Sequence, residues 1–189
     1  FQYATMRNIV GVITLWIMVR VAKSQTHYTK KDILPTLIGG IGTAAFMPLY
    51  TLGFQRTGVS VAAVLAIGTA PIFTGIVAWI AFGRQPSRKW VGGTALAVVG
   101  LVILNAPSGG TSVSLLGALF AIGAGLSYAF QATGMEMMSK RHTPAQSVAA
   151  IWTTAMVLQA PICIGRDFSF VAQPILLLGI LYGGVFTVA

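Results

Sequence analysis

Residues Val59–Lys89 read VSVAAVLAIGTAPIFTGIVAWIAFGRQPSRK, with no charge before Arg84, a proline near the middle and a basic burst at the end. The 24 residues from Val59 to Phe82, wound as a helix at about 1.5 Å per residue, would cross the roughly 30 Å hydrocarbon layer of a bilayer. Pro71 is the thirteenth of them, which places it near the midplane. Proline has no N–H and its ring crowds the carbonyl four residues back, so the Ile67 carbonyl loses its helical partner. In a soluble helix this costs about 3 kcal/mol. In lipid it is tolerated where neighbouring helices, hydroxyls or water take up the freed group, and Thr69 and Thr74 stand close by.

The rest of the chain has the same character. It is 56% hydrophobic and 8% charged over 189 residues, with a mean hydropathy of +0.82, too little polar surface for a soluble globule of this length. Charged residues bound uncharged stretches of 23 residues (Asp32 to Arg56), 27 (Arg56 to Arg84), 46 (Lys89 to Glu136) and 24 (Arg141 to Arg166). About 20 residues make one span, so the 46-residue stretch holds two. The pattern predicts an all-α polytopic membrane protein with seven helical segments, at residues 2–21, 33–53, 59–82, 90–104, 115–138, 147–164 and 175–189. Strands are excluded because no run alternates with a period of two.

The net charge of +9 is distributed by side rather than gathered into a nucleic-acid patch. Arg20, Lys23, Lys30, Lys31, Arg84, Arg88, Lys89, Lys140 and Arg141 fall in alternate loops, against Arg7, Arg56 and Arg166 on the other side. This puts loops 22–32, 84–89 and 139–146 in the cytoplasm, in a multi-pass protein of the cytoplasmic (inner) membrane. Trp16, Trp79, Phe82 and Trp90 are expected at the inner boundary, and Tyr50 and Phe54 at the outer. The single cysteine, Cys163, makes no internal disulfide or thiolate metal site. A chain that begins at Phe1 with no leader pattern is expected to be a fragment.

A weak repeat gives the segments an order. Leu37–Ala45 (LIGGIGTAA) and Leu181–Ala189 (LYGGVFTVA) share the pattern L-x-G-G-[I/V]-x-T-x-A at an offset of 144 residues. The same offset lays residues 2–21 over 146–165, the sixth segment, without a gap. An odd number of helices separates the copies, so they must run in opposite directions, as in secondary transporters built from inverted repeats. The expected whole is ten helices in two sets of five.

At this point the chain resembles a drug/metabolite transporter of the EamA type. The likeness is strongest over RTGVSVAAVLAIGTAPIFTGIVAWIAFGRQPSRKWVGGTALAVVGLVIL, from Arg56 to Leu104. An alanine-rich run leads there to a central proline, a short basic loop and a W-x-G-G helix, similar to the family's fourth and fifth helices. Arg7 in MRNIV occupies the place where family members often carry an arginine. Arg84 stands where the family usually has a glutamate after the loop glycine. The resemblance implies a first EamA repeat over 1–106, lacking its first helix, and a second over 114–189, with three helices. It also implies a small-molecule solute such as a metabolite, amino acid or drug-like compound.

Candidates for a solute path are the polar or helix-breaking groups at midplane depth: Thr43, Thr69, Pro71, Thr74, Ser127, Tyr128, Gln131 and Trp152, with Gln159 also at that depth. Together they suggest a mildly polar cavity with aromatic walls. Isolated polar groups in bundles also serve simply to bond across helices. Stripes of small residues at Ala62, Ala66 and Ala70, at Gly93, Ala97 and Gly100, and at Gly117, Ala121 and Gly125 suit close helix packing. Glu136, with Lys140 four residues on, reads as an interfacial pair. No cofactor or metal is expected: His27 and His142 lack ligand spacing, and there is no phosphate loop. The expected partners are the solute and the lipid bilayer, with a homodimer left open and no nucleic acid. The rival readings are a membrane scaffold with a degenerate transporter fold and an intramembrane enzyme acting through Ser127.

Overall fold

The computed structural model describes residues 2–21, 27–104, 114–163, 179–180 and 182–184. Among these the chain is helical and contains no strand. The helices are α1 (Gln2–Val21), α2 (Ile33–Thr57, entered through a 3-10 turn at Lys30–Asp32), α3 (Val59–Phe82), α4 (Arg88–Leu104), α5 (Leu115–Ser139) and α6 (Pro144–Cys163). Lys30–Thr57, Val59–Phe82 and Leu115–Ser139 are long and apolar enough to cross a membrane by length and composition. Residues 179–180 and 182–183 are helical within the expected seventh segment. The remainder of that segment and the 105–113 turn lie outside the described residues.

The helix ends are set by local chemistry that charge gaps do not reveal. Between α2 and α3 stands one residue, Gly58, at φ +83°, a conformation that side chains with a Cβ resist. Gly83 ends α3 in the left-handed region and donates its N–H to the Trp79 carbonyl at 2.8 Å. Ser87 Oγ accepts the Trp90 N–H at 3.1 Å, which starts α4 at Arg88, two residues earlier than expected. At α6, Pro144 occupies the first helical position while the Thr143 N–H donates to Gln146 Oε1 at 3.0 Å. The Gln146 N–H in turn approaches Thr143 Oγ1 at 3.4 Å. This T-P-A-Q capping box begins α6 three residues before the expected boundary.

Burial is inverted relative to a soluble protein. The interior is largely alanine, including Ala62, Ala66, Ala121, Ala124, Ala129, Ala149 and Ala155, joined by Thr43, Ser127, Thr133 and Ser147. Large aliphatic side chains such as Ile13, Ile17, Leu34, Ile41, Ile80, Leu96 and Leu119 stand outside. Lipid rewards no burial of leucine, so small residues that let backbones approach take the inside.

The chain forms two compact units, one of residues 1–44 and 134–189, the other of 45–133. In the first, α1 packs on α6 through Leu15, Val19 and Ala149, with Trp16, Ala145, Val148 and Trp152 around them. Trp16 Nε1 donates to Thr153 Oγ1 at 3.0 Å. The start of α2 meets α6 with almost no space, since a Cβ at Gly40 would come within 2.5 Å of Thr154; likewise a Cβ at Gly184 would come within 2.6 Å of Val10 in α1. Gln159 of α6 donates to the Ala44 carbonyl at 3.0 Å. That carbonyl lies four residues before Pro48, inside α2, and is the one the proline deprives of its helical partner. Gln159 therefore has a structural task, bonding across helices.

In the second unit Ala66 and Ala70 of α3 approach Gly125 of α5 so closely that a Cβ there would collide with Thr69 Oγ1 and crowd the Ala66 carbonyl. Gly117 and Ala121 of α5 meet Thr57 and Gly53 of α2 in the same way. Two of the three expected small-residue stripes are thus helix contacts. The third is not: Gly93 and Gly100 of α4 have nothing within 4 Å of an added Cβ. Arg84 lies over the Phe82 ring at 5.2 Å.

Candidate solute site

Within the second unit a cavity of about 490 Å³ opens at the proline of α3. From α3 it is lined by Ala66, Ile67, Ala70, Pro71 and Thr74; Phe46 of α2, Trp90 of α4 and Tyr128 of α5 supply the other walls. Positions 67, 70, 71 and 74 fall at i, i+3, i+4 and i+7, one face of a helix. Trp90 reaches the cavity because Gly75 leaves room: a Cβ there would collide with the indole. Phe46 meets Tyr128 edge-on, centroids 6.4 Å apart, and stacks on Tyr50 at 5.9 Å.

The lining carries no Asp, Glu, Lys, Arg or His side chain. Thr74 Oγ1 donates to the Ala70 carbonyl at 2.7 Å, which commits its proton and leaves its lone pairs as acceptors. Thr69 Oγ1 donates to the Leu65 carbonyl at 2.6 Å. The two hydroxyls therefore serve Leu65 and Ala70 and not the Ile67 carbonyl freed by Pro71, contrary to the expectation from their proximity. The cavity offers acceptors and aromatic faces, surroundings that favour a ligand with hydrogen-bond donors or positive charge.

Of the expected path residues, the structure gathers Pro71, Thr74 and Tyr128 on this cavity. Thr69 lies against α5 instead, beside Gly125. Ser127 is buried and donates to the Gly123 carbonyl at 2.9 Å; neither it nor the half-buried Gln131 lines the cavity. Thr43 and Trp152 belong to the other unit. There Thr43 donates to the Gly39 carbonyl at 2.8 Å, and Trp152 packs on the α1–α6 core. Phe46, Ile67 and Trp90 were not expected at the site. Trp90, expected at the inner boundary, turns its ring onto α3.

The first unit carries a polar cluster at the first turn of α2. Asp32 is 4% exposed; its Oδ2 accepts the Thr29 N–H at 2.7 Å and the Thr29 hydroxyl at 2.8 Å. Arg141 Nη1 lies 3.4 Å from Oδ1 and His142 Nε2 3.3 Å from Oδ2. The His142 ring faces Tyr28 at 4.8 Å between centroids. Burial, and then the Asp32 charge, raise the Tyr28 phenol above its ordinary pKa; the protonated hydroxyl donates to the Gln146 carbonyl at 3.1 Å. The signal in the sequence was T-x-x-D directly before an apolar run.

The EamA-like transporter family matches residues 1–106. The "Uncharacterized transporter YwfM" of Bacillus subtilis (strain 168) is 30% identical over 137 residues, covering 72% of this chain and 46% of that protein. The chain thus spans about half the length of this curated relative. No solved structure matches it. A match over more than half of the chain, on apolar membrane-length helices, identifies a multi-pass membrane protein: the chain belongs to the EamA-like transporter family.

Proposed function

We propose that the full-length protein is a secondary transporter of a small organic solute, working by alternating access, and that the cavity at Pro71 is part of the solute path. The observation that carries this reading is the coincidence of that cavity with a mid-helix proline near midplane depth, the level at which transporters of this kind bind solute. A volume of about 490 Å³ suits a metabolite, amino acid or drug-like compound. Three aromatic walls and acceptor groups without a cation favour a solute with an apolar body and donor or cationic groups. Ser127, whose proton is held by the Gly123 carbonyl, supports a non-enzymatic role.

The two-fold architecture of inverted repeats belongs to the same proposal, and one pair of contacts supports it. Gly40 packs on Thr154 and Gly184 on Val10. Adding 144 to 40 and to 10 gives 184 and 154, so one contact is the other with its partners exchanged. Such reciprocity is what a two-fold relation between copies produces. Each compact unit also draws on both 1–106 and 114–189. Flux of a broad metabolite panel into proteoliposomes of the full-length protein tests the function. Transport of at least one panel member supports it, and none at all would favour the membrane scaffold.

A further inference from the structure

Two cavities adjoin at the first turn of α2, and both are bounded by Thr29 and Asp32. One, about 540 Å³, is walled by Lys30, Lys31, Arg141, His27 and His142. The other, about 360 Å³, is bounded mostly by apolar surface, from Ile33, Leu37, Ala150 and the Trp16 indole among others, with Tyr28, Thr36, Thr153 and Thr154 also on its wall. Around the second, Ile33, Leu34 and Leu37 are 57%, 61% and 42% exposed on a membrane-spanning helix. The single carboxylate at the junction is turned to Thr29, Arg141 and His142. Arg141 spends Nη1 on it and has further N–H donors in its fork, on a side chain 47% exposed. Lys30 and Lys31 are exposed beside it.

We propose that this pair of cavities binds one anionic phospholipid, its phosphate among Lys30, Lys31 and Arg141 and an acyl chain along Ile33, Leu37 and Trp16. Charge complementarity selects the head group, since guanidinium and ammonium groups suit a phosphodiester. The adjoining apolar cavity distinguishes the site from a general attraction of basic loops to an anionic surface, which needs no place for a chain. The site lies at the edge of a span, where head groups and chains part. It is independent of the transported solute.

The test uses the full-length protein in detergent, titrated with phosphatidylglycerol or phosphatidylcholine brominated on the acyl chains. The signal is the part of the tryptophan quenching that disappears in W16F. Phosphatidylglycerol should quench that part at roughly tenfold lower lipid concentration, and K30Q/K31Q should erase the preference. Equal quenching by the two lipids, or a preference that survives K30Q/K31Q, overturns the proposal. So does displacement of phosphatidylglycerol by glycerol 3-phosphate at equal concentration, which would make the cavity a site for a free phosphate ester.

Discussion

At Pro71 the backbone of α3 gives up one hydrogen bond, and the neighbouring threonines do not replace it: their hydroxyls bond to Leu65 and Ala70. Pro71→Ala is therefore expected to raise resistance to unfolding while lowering the transport rate. A rise in stability with transport untouched would end the proposed role of the proline. Thr74→Val keeps the side-chain shape and removes the acceptor from the cavity. About 1 kcal/mol of lost solute binding, or roughly fivefold in KM, is expected with stability little changed. Depth was legible from the charge gaps, and facing from helical spacing. Thr69 is two residues from Pro71, about 200° around the helix, and could have been excluded from Pro71's face by that spacing. For Phe46 and Trp90 no spacing would have served, because lipid-facing and cavity-facing aromatics look alike in an apolar run. Asp32 was legible in principle, as the acid of a T-x-x-D cap. Asp32→Asn should cost about 1–3 kcal/mol by removing the charge that Arg141 and His142 face.

Among the elements, the clearest energetic coupling joins α2 and α6. Pro48 deprives the Ala44 carbonyl of its helical donor, and Gln159 supplies another from across the interface. Gln159→Leu should lower stability by about 1 kcal/mol. In a Pro48→Ala background, where residue 48 again has an N–H, the same change should cost close to nothing; equal costs in both backgrounds, measured by reversible unfolding, would refute the coupling. Gly75 makes the complementary case for α3 and α4. Gly75→Leu must displace the Trp90 indole and should reduce transport sharply. Gly92→Ala, with nothing within 4 Å, should leave transport unchanged. The order of the helices and the bounds of α3 followed from charge spacing and span length, whereas the starts of α4 and α6 depended on Ser87 and Thr143, side chains that lie between the apolar runs.

At the scale of the whole molecule, the proposed transporter has a path through a membrane and two oppositely directed copies of one helical set. The contacts Gly40–Thr154 and Val10–Gly184, in which positions 144 residues apart exchange partners, support the proposed copies. If the offset holds, the full-length protein has a helix like Val59–Phe82 centred near position 215. The most direct test concerns the cavity itself. With Cys163 and any cysteine outside residues 1–189 replaced by serine, Ile67→Cys places a single thiol on its wall in full-length protein reconstituted into proteoliposomes. The account predicts flux of at least one solute from a metabolite panel, its abolition by a bulky thiol reagent and protection by that solute. Modification at residue 67 that leaves the flux intact would contradict it.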